Sequence, residues 1–345
     1  MMAERAACSP YPPSQVIAGI AWENEIVRLG GERTGDNWPL TWGDDGLLYT
    51  SYADGNGFSE GPVNYTLAFA TVSGVPPDHS GRDFRSDADT PVGWGKQGIK
   101  ASGMLMAGGM LYLFVRNFIV DGDWRHSRLA CSTDRGRTWT WANWTFSETF
   151  GCPEFVQYGP NYDGARDGYV YVVSQSGNSA YEFDPHVVLA RVPVGCVMQR
   201  KAYEFYAGAA EGEPRWSVDI DQRQPIFTDP RGVQRIGLTY NAGLRRYFLV
   251  TAHDDGTGAT HTPALGVFDA PEPWGPWTTV YYNDRWSADQ ESGGGWMIHH
   301  KFPTAWMSAD GRTLWLAFSG QYVPGGQNYC LLTRKATLAL RTEDE

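Results

Sequence analysis

Three carboxylates sit where an apolar run begins or ends. Asp36 opens DNWPLTW, Asp54 closes LLYTSYAD, and Glu154 follows Cys-Pro and opens EFVQY, a position where a strand gains nothing from a charge. Two carboxyl groups, one protonated and one ionised, are what glycoside hydrolysis requires. The first gives a proton to the leaving oxygen, and the second acts as base or nucleophile. Asp36 is therefore read as base or nucleophile, Glu154 as general acid and Asp54 as a tuning carboxylate. Other run ends carry Asn37, Trp38, Lys100, Arg116, Asn117, Gln175, His253, His300 and Gln321. Aromatic rings at such places stack on sugars, and amides, cations and imidazoles bond hydroxyls, so these nine are the candidate substrate-binding residues.

Other chemistries lack their parts. His253, Asp254, Asp255 and His261 are close in sequence but match no zinc spacing. The five cysteines are odd in number, with no two at ligand spacing, which disfavours a disulfide framework or zinc site. No G-x-S-x-G elbow occurs, and the GGGW run at 293–296 precedes no helix. The reading calls for no cofactor and no metal, while leaving room for a Ca²⁺ or Na⁺ in the channel, which needs only oxygen ligands.

The elements that must position these residues are strands. Five times a β-type run, a turn and a second β-type run recur: WPLTW–GDDG–LLYTSYADG, SGMLM–AGG–MLYLFVRN, PEFVQY–GPNYDGARDG–YVYVVSQS, QRIGLTY–NAGLR–RYFLVTAH and KFPTAW–MSADGRT–LWLAFSG. Outer strands such as TLAFATV and HVVLARV lie between them. The units recur about every 65 residues, which suits four-stranded propeller blades with long loops. The expected fold is all-β, a five-bladed β-propeller in a single domain over residues 21–340, with an N-terminal extension at 1–20 that is poorly ordered or closes the propeller, and a tail at 341–345. Each innermost strand leaves the mouth of the channel and the next returns to it, so the candidates above converge on one face. STDRGRTW at 132–139 and the degenerate SADGRTLW at 308–315 resemble the Asp-box of sialidase-type propellers. These turns stabilise blades at the periphery, so Asp134 and Asp310 are left out of the site.

Composition sets the outer bounds. The 345 residues carry a net charge of −11, which opposes nucleic acid and anionic lipid as partners. No run of 18 apolar residues spans a membrane. Fifteen Trp, 18 Tyr and 15 Phe supply the wedges between blades. The opening MMAERAACSPYPPSQ lacks the basic start and apolar run of a secretion signal, so the compartment stays open. The expected partner is a carbohydrate, and the expected state a monomer.

In order, GDNWPLTWGDDGLLYTSYADGNGF, G-x-K-x-SG with LYLFVRN, AYEFYAG…EPRWS, LTYNAGLRRYFL, DAPEPWGPWTTV and SADGRTLWLAFSG resemble the propeller family filed as domain of unknown function 4185, from about residue 20 to 340. The resemblance implies a five-bladed propeller related in shape to arabinanases and furanosidases. Some members of the family are endo-acting arabinanases that cut D-arabinan of mycobacterial cell walls. In related arabinanase-type propellers an acidic residue opens the first blade, which Asp36 matches, and Glu154 matches the acid. Lys100 stands where those enzymes carry an acidic pKa modulator.

The function expected is thus a glycoside hydrolase acting on a polysaccharide or oligosaccharide, arabinan or another furanose glycan. One alternative is a polysaccharide lyase, with Lys100, Arg116 and His300 neutralising a uronate and removing its proton. The other is a non-catalytic carbohydrate-binding propeller, which would repeat its binding residues in every blade, whereas here they differ from blade to blade.

Overall fold

The structure, a computed structural model, describes residues 9–31, 33–59, 61–91, 93, 95–257, 259, 261–287, 297–320 and 330–342. The described residues form 22 strands and a few single-turn 3₁₀ segments. Among the described residues no helix is long and apolar enough to cross a membrane.

The first strand, β1 (Ile17–Leu29), waits for its partner at the other end of the chain. Blade one is β2 (Leu40–Trp42), β3 (Leu48–Tyr52), β4 (Tyr65–Ser73) and β5 (Ser80–Phe84), with the short β6 (Thr90–Pro91) beside β4. Blade two is β7 (Lys100–Ala107), β8 (Met110–Val120), β9 (Asp123–Ser132) and β10 (Thr140–Phe146). Blade three holds β11 (Glu154–Phe155), β12 (Tyr169–Gln175) and β13 (Asp184–Pro193), and carries the hairpin β14 (Glu204–Ala210) and β15 (Glu213–Ser217). The 17-residue β16 (Pro225–Asn241) serves two blades. Its first residues pair with β13 as the outer strand of blade three, and its later ones pair with β17 (Arg246–His253) as the inner strand of blade four. Blade four continues with β18 (Leu265–Ala270) and β19 (Thr278–Asn283). Blade five is β20 (Met297–Lys301), β21 (Thr313–Gly320), β22 (Leu331–Leu340) and, outermost, β1, antiparallel to β22 from Ile17↔Leu340 to Leu29↔Leu331. Four of the sequence hairpins are thus inner pairs of their blades, and in the fifth the inner strand β20 lies just before the expected run KFPTAW, of which it takes only Lys301.

The inner strands form a ring held by contacts at each step. Met106 N donates to Thr41 Oγ1 at 2.8 Å, and Gln157 Nε2 to Met104 O at 2.8 Å. Gln157 N donates to Leu238 O at 3.1 Å, and Asn37 N to Ser319 Oγ at 3.1 Å. Two steps need glycine because backbone meets backbone. A Cβ on Gly103 would lie 2.9 Å from Glu154 Cα, and one on Gly237 would lie 2.8 Å from His300 O. Aromatic pairs fill the wedges farther out. Phe69 stacks on Trp139 at 5.4 Å between blades one and two, and Phe114 meets Phe155 at 5.0 Å between two and three. Phe248 meets Phe302 at 6.1 Å between four and five, and Trp306 Nε1 donates to Gly74 O at 3.0 Å between five and one. Each large side chain fully buried this way contributes roughly 1.5–3 kcal/mol relative to exposure.

The Asp-box turns are peripheral. Asp134 Oδ1 accepts from Ser132 Oγ at 2.8 Å and Thr138 N at 2.9 Å, and these bonds with that of the Thr138 hydroxyl hold its carboxyl down to about 2. Asp310 repeats the pattern with Ser308 Oγ at 2.6 Å and Arg312 N at 3.1 Å.

Candidate active site

The chain reaches the mouth of the channel through irregular backbone. Asp36 and Ala53 exchange hydrogen bonds at 2.7 and 2.9 Å just before β2. Gly35 makes that approach possible, since its φ is +118° and a Cβ there would lie 2.6 Å from Ala53 O. Asn37, Asp54, Asn117, Arg235 and His299 all have left-handed φ, between 51° and 66°. Ladder irregularities fall at the same places: between Ala101 and Gly103 on β7, Val115 and Phe118 on β8, Gln234 and Gly237 on β16, and Ile298 and Lys301 on β20. Bulges re-aim side chains that strict alternation would send elsewhere.

Three carboxyl groups are held in contrasting ways. Asp36 is buried, and its Oδ1 has no hydrogen-bond partner. Burial, then the charge of Asp54, raises its pKa to about 6, against the opposing pull of Lys100, Arg235 and Arg116. Asp54 itself is paired, with Lys100 Nζ at 2.6 Å from its Oδ1, and the same ammonium reaches Thr66 Oγ1 at 3.2 Å. Glu154 faces Lys301 Nζ at 3.0 Å from each oxygen. Burial raises its pKa in spite of Lys301 and Arg116. Asp36 and Glu154 thus both feel Arg116. Environments that push two carboxyl groups above their usual range in one cleft are suited to proton transfer near neutral pH.

Arg116 Nη1 donates to Asn37 Oδ1 at 2.9 Å and Ala101 O at 3.0 Å. Asn37 Nδ2 also reaches Ala101 O, so the asparagine orients the guanidinium. Gln175 Nε2 donates to Ser179 O at 2.6 Å and Glu182 O at 2.9 Å, and its Oε1 accepts from Arg235 N at 3.0 Å. Asn117 Nδ2 is shared among Gly95 O, Gly98 O and Tyr181 Oη at 3.0–3.1 Å. These two amides tie loops and fix neighbours of the site.

Three candidates stand apart from that cluster. The Trp38 ring packs between Tyr52 and Phe58, 5.4 and 5.2 Å away, with Nε1 donating to Gly35 O, so no face is open for a sugar. His300 is wedged between Trp286 and Phe318, where burial lowers its pKa to about 3. His253 stacks on Tyr282 at 4.0 Å and bonds Asp284 at 2.9 Å, and burial lowers its pKa despite that carboxylate. Gln321 lies outside the described residues.

The bulge on β20 sends His299 where His300 was expected. His299 is buried with Nε2 unpartnered, and burial together with Arg116, Arg235 and Lys301 holds its pKa well below the usual value. Arg235 and Tyr181 also belong to the cluster and carried no sequence signal of their own. Arg235 stands second in QRIGLTY, inside the longer strand β16, at the bulge that brings it to the mouth. Among the described residues no group of three or more His, Cys, Asp or Glu is arranged to hold a metal.

Solved structures share this architecture. A protein of Bacteroides ovatus, provisionally described as a hydrolase, is 13% identical with a TM-score of 0.55 and coverage of 90% of this chain and 86% of its own. The Podospora anserina α-L-arabinofuranosidase crystallised with cellotriose is 10% identical, with a TM-score of 0.52 and coverage of 94% and 99%. A thermostable family-43 glycoside hydrolase is 14% identical, with a TM-score of 0.50 and 92% coverage of both chains. At such identities the likeness concerns the fold. No curated protein sequence matches. Residues 41–322 match the family model described as "Domain of unknown function (DUF4185)".

Proposed function

The chain belongs to the DUF4185 family, and from that premise and the charged cluster at its channel mouth we propose that it is a glycoside hydrolase. The observation that carries the reading is the likeness of Asp36 and Glu154. Both are buried acids with raised pKa values, on different blades, and both feel the charge of Arg116. In this reading Asp36, ionised above about pH 6, is the base or nucleophile. Glu154, whose carboxyl burial pushes above its ordinary value, delivers the proton to the leaving oxygen. Asp54 supplies from blade one the tuning charge, and Lys100 holds it in place.

The arabinofuranosidase among the structural neighbours and the likeness to D-arabinan-cutting enzymes make furanose polymers the first substrates to try. The lyase alternative is less well supported, because Lys100 is committed to Asp54 and His300 to an apolar pocket. The test is incubation with arabinans, other furanose polymers and uronate polymers, with mass spectrometry of the products. Saturated oligosaccharides released by the native protein and not by Asp36→Asn support the proposal. Unsaturated products would replace it with the lyase, and turnover unchanged in Asp36→Asn would remove that residue from the mechanism.

A further inference from the structure

The mouth of the channel holds more positive charge than its own carboxylates can neutralise. Lys100 is paired with Asp54 and Lys301 with Glu154. Two further cations remain, Arg116 and Arg235, at 2% and 3% exposure. Among the described residues neither has a carboxylate within ion-pairing distance, and Asp36 is the acid left to balance them both. Burying a guanidinium without a counter-charge is costly, and burying two like charges together is more so.

Both guanidiniums lie over one ring, with Arg116 and Arg235 Cζ at 6.0 and 5.2 Å from the Tyr181 centroid. Backbone and amides hold them there. Arg116 is fixed by Asn37 and Ala101 through Nη1, and Arg235 by Ala180 O through Nε at 3.0 Å and by Gln175 through its backbone N–H. What is left over is donor capacity. Arg116 Nε is shielded from solvent and has no partner, and among the described residues the hydrogen bonds of Arg235 leave its two terminal nitrogens uncommitted. The Nε edge of one guanidinium and the terminal fork of another are the two edges that bind planar carboxylates. His299 Nε2 is a further unpartnered polar atom electrostatically coupled to both arginines.

We propose that Arg116 and Arg235 form a carboxylate-binding subsite, and that the glycan taken by this site carries an acidic sugar there. The inference rests on the reading of the mouth as a glycan site and adds the substrate's charge class. It also gives Gln175 and Asn37 a purpose as positioning residues for the two guanidiniums. The net charge of −11 does not oppose it, because the positive charge is local to the mouth.

The experiment is isothermal titration calorimetry of the native protein with uronate-containing oligosaccharides (galacturonate, glucuronate and iduronate), each against its carboxyl-reduced counterpart at fixed ionic strength. At least one acidic member should bind ten-fold or more tightly than its reduced form. Arg235→Gln should abolish that difference, and Arg116→Lys should reduce it. Equal binding of every acidic and reduced pair overturns the proposal. Sodium acetate binding as tightly as the best uronate overturns the assignment to substrate and leaves a free-anion site. The readout needs no turnover. Selective uronate binding without hydrolysis would sink the hydrolase reading alone, and hydrolysis of neutral polymers with no preference for acid would sink this inference alone.

Discussion

Lys301 Nζ stands 3.0 Å from both oxygens of Glu154, joining blade five to blade three across 147 residues of sequence. Both side chains are 6% exposed, so the pair is shielded from solvent. Its geometry fixes the carboxylate plane at the mouth, and its charge holds down a pKa that burial pushes up.

Lys301→Met should therefore raise the Glu154 pKa further. If Glu154 is the acid, the alkaline limb of kcat/KM moves to higher pH. Stability should fall by about 3–5 kcal/mol where Glu154 is ionised, the cost of stranding one partner of a buried pair. The loss should shrink at low pH, where Glu154 is protonated. Urea unfolding at pH 5 and pH 8, beside a pH–rate profile, checks both.

Asp36→Asn should lower kcat by ~10²–10⁴-fold, the usual contribution of a positioned acid or base. Its effect on stability has the opposite sign. The folded-state pKa of about 6 lies above the ordinary 3.8, so the native state holds a proton that the unfolded chain has released between those values. Ionising Asp36 then costs the fold about 3 kcal/mol, fully expressed above pH 6 and absent below pH 4. The variant should be more stable than the native protein at pH 7 and equal to it near pH 4, as read by chemical denaturation at both values.

Asp54→Asn removes the charge that raises the Asp36 pKa and frees Lys100, which lowers it. Both changes act in the same direction. The acidic limb of the pH–rate profile should move below its native position near 6. A limb that stays in place would mean that Asp36 does not set it.

The fold was legible because hairpins repeat: alternating apolar residues and Gly/Asp turns mark strands whatever their partners. Asp36, Asp54, Lys100, Arg116 and Glu154 were legible as members of the charged cluster because each stands at a strand end, where the propeller geometry brings the chain to the mouth. Arg235 was not, and the choice between the adjacent His299 and His300 went to the wrong one for this cluster, because bulges and left-handed backbone at Arg235 and His299 break the alternation on which such a reading depends. Trp38 follows two mouth residues and looked like a sugar platform. Its ring instead turns into the core against Tyr52 and Phe58, a choice made by packing partners far along the chain. The ion pair of Glu154 with Lys301 was invisible for the same reason, since nothing local couples residues on blades three and five.

Gly103→Ala should injure catalysis from behind. The added Cβ would meet Glu154 Cα and Pro153 O at 2.9 Å, both unyielding backbone. Overpacking of this kind costs about 1–3 kcal/mol and shifts β11. Thermal melting should show the loss, and kcat should fall more than KM changes, because Glu154 is displaced while Asn37 and Arg116 stay on their own blades.

The fifth blade pairs the first strand of the fold with the last, β1 with β22, and also supplies Lys301, His299 and Ser319. On the ribosome, β1 emerges early and stays an unpaired edge until more than three hundred further residues have followed. A nascent chain can complete blades one to four in turn, but it cannot seat Lys301 against Glu154 in a closed ring until β22 is free of the exit tunnel. Competence for chemistry is therefore acquired in one late step, after translation of the whole propeller.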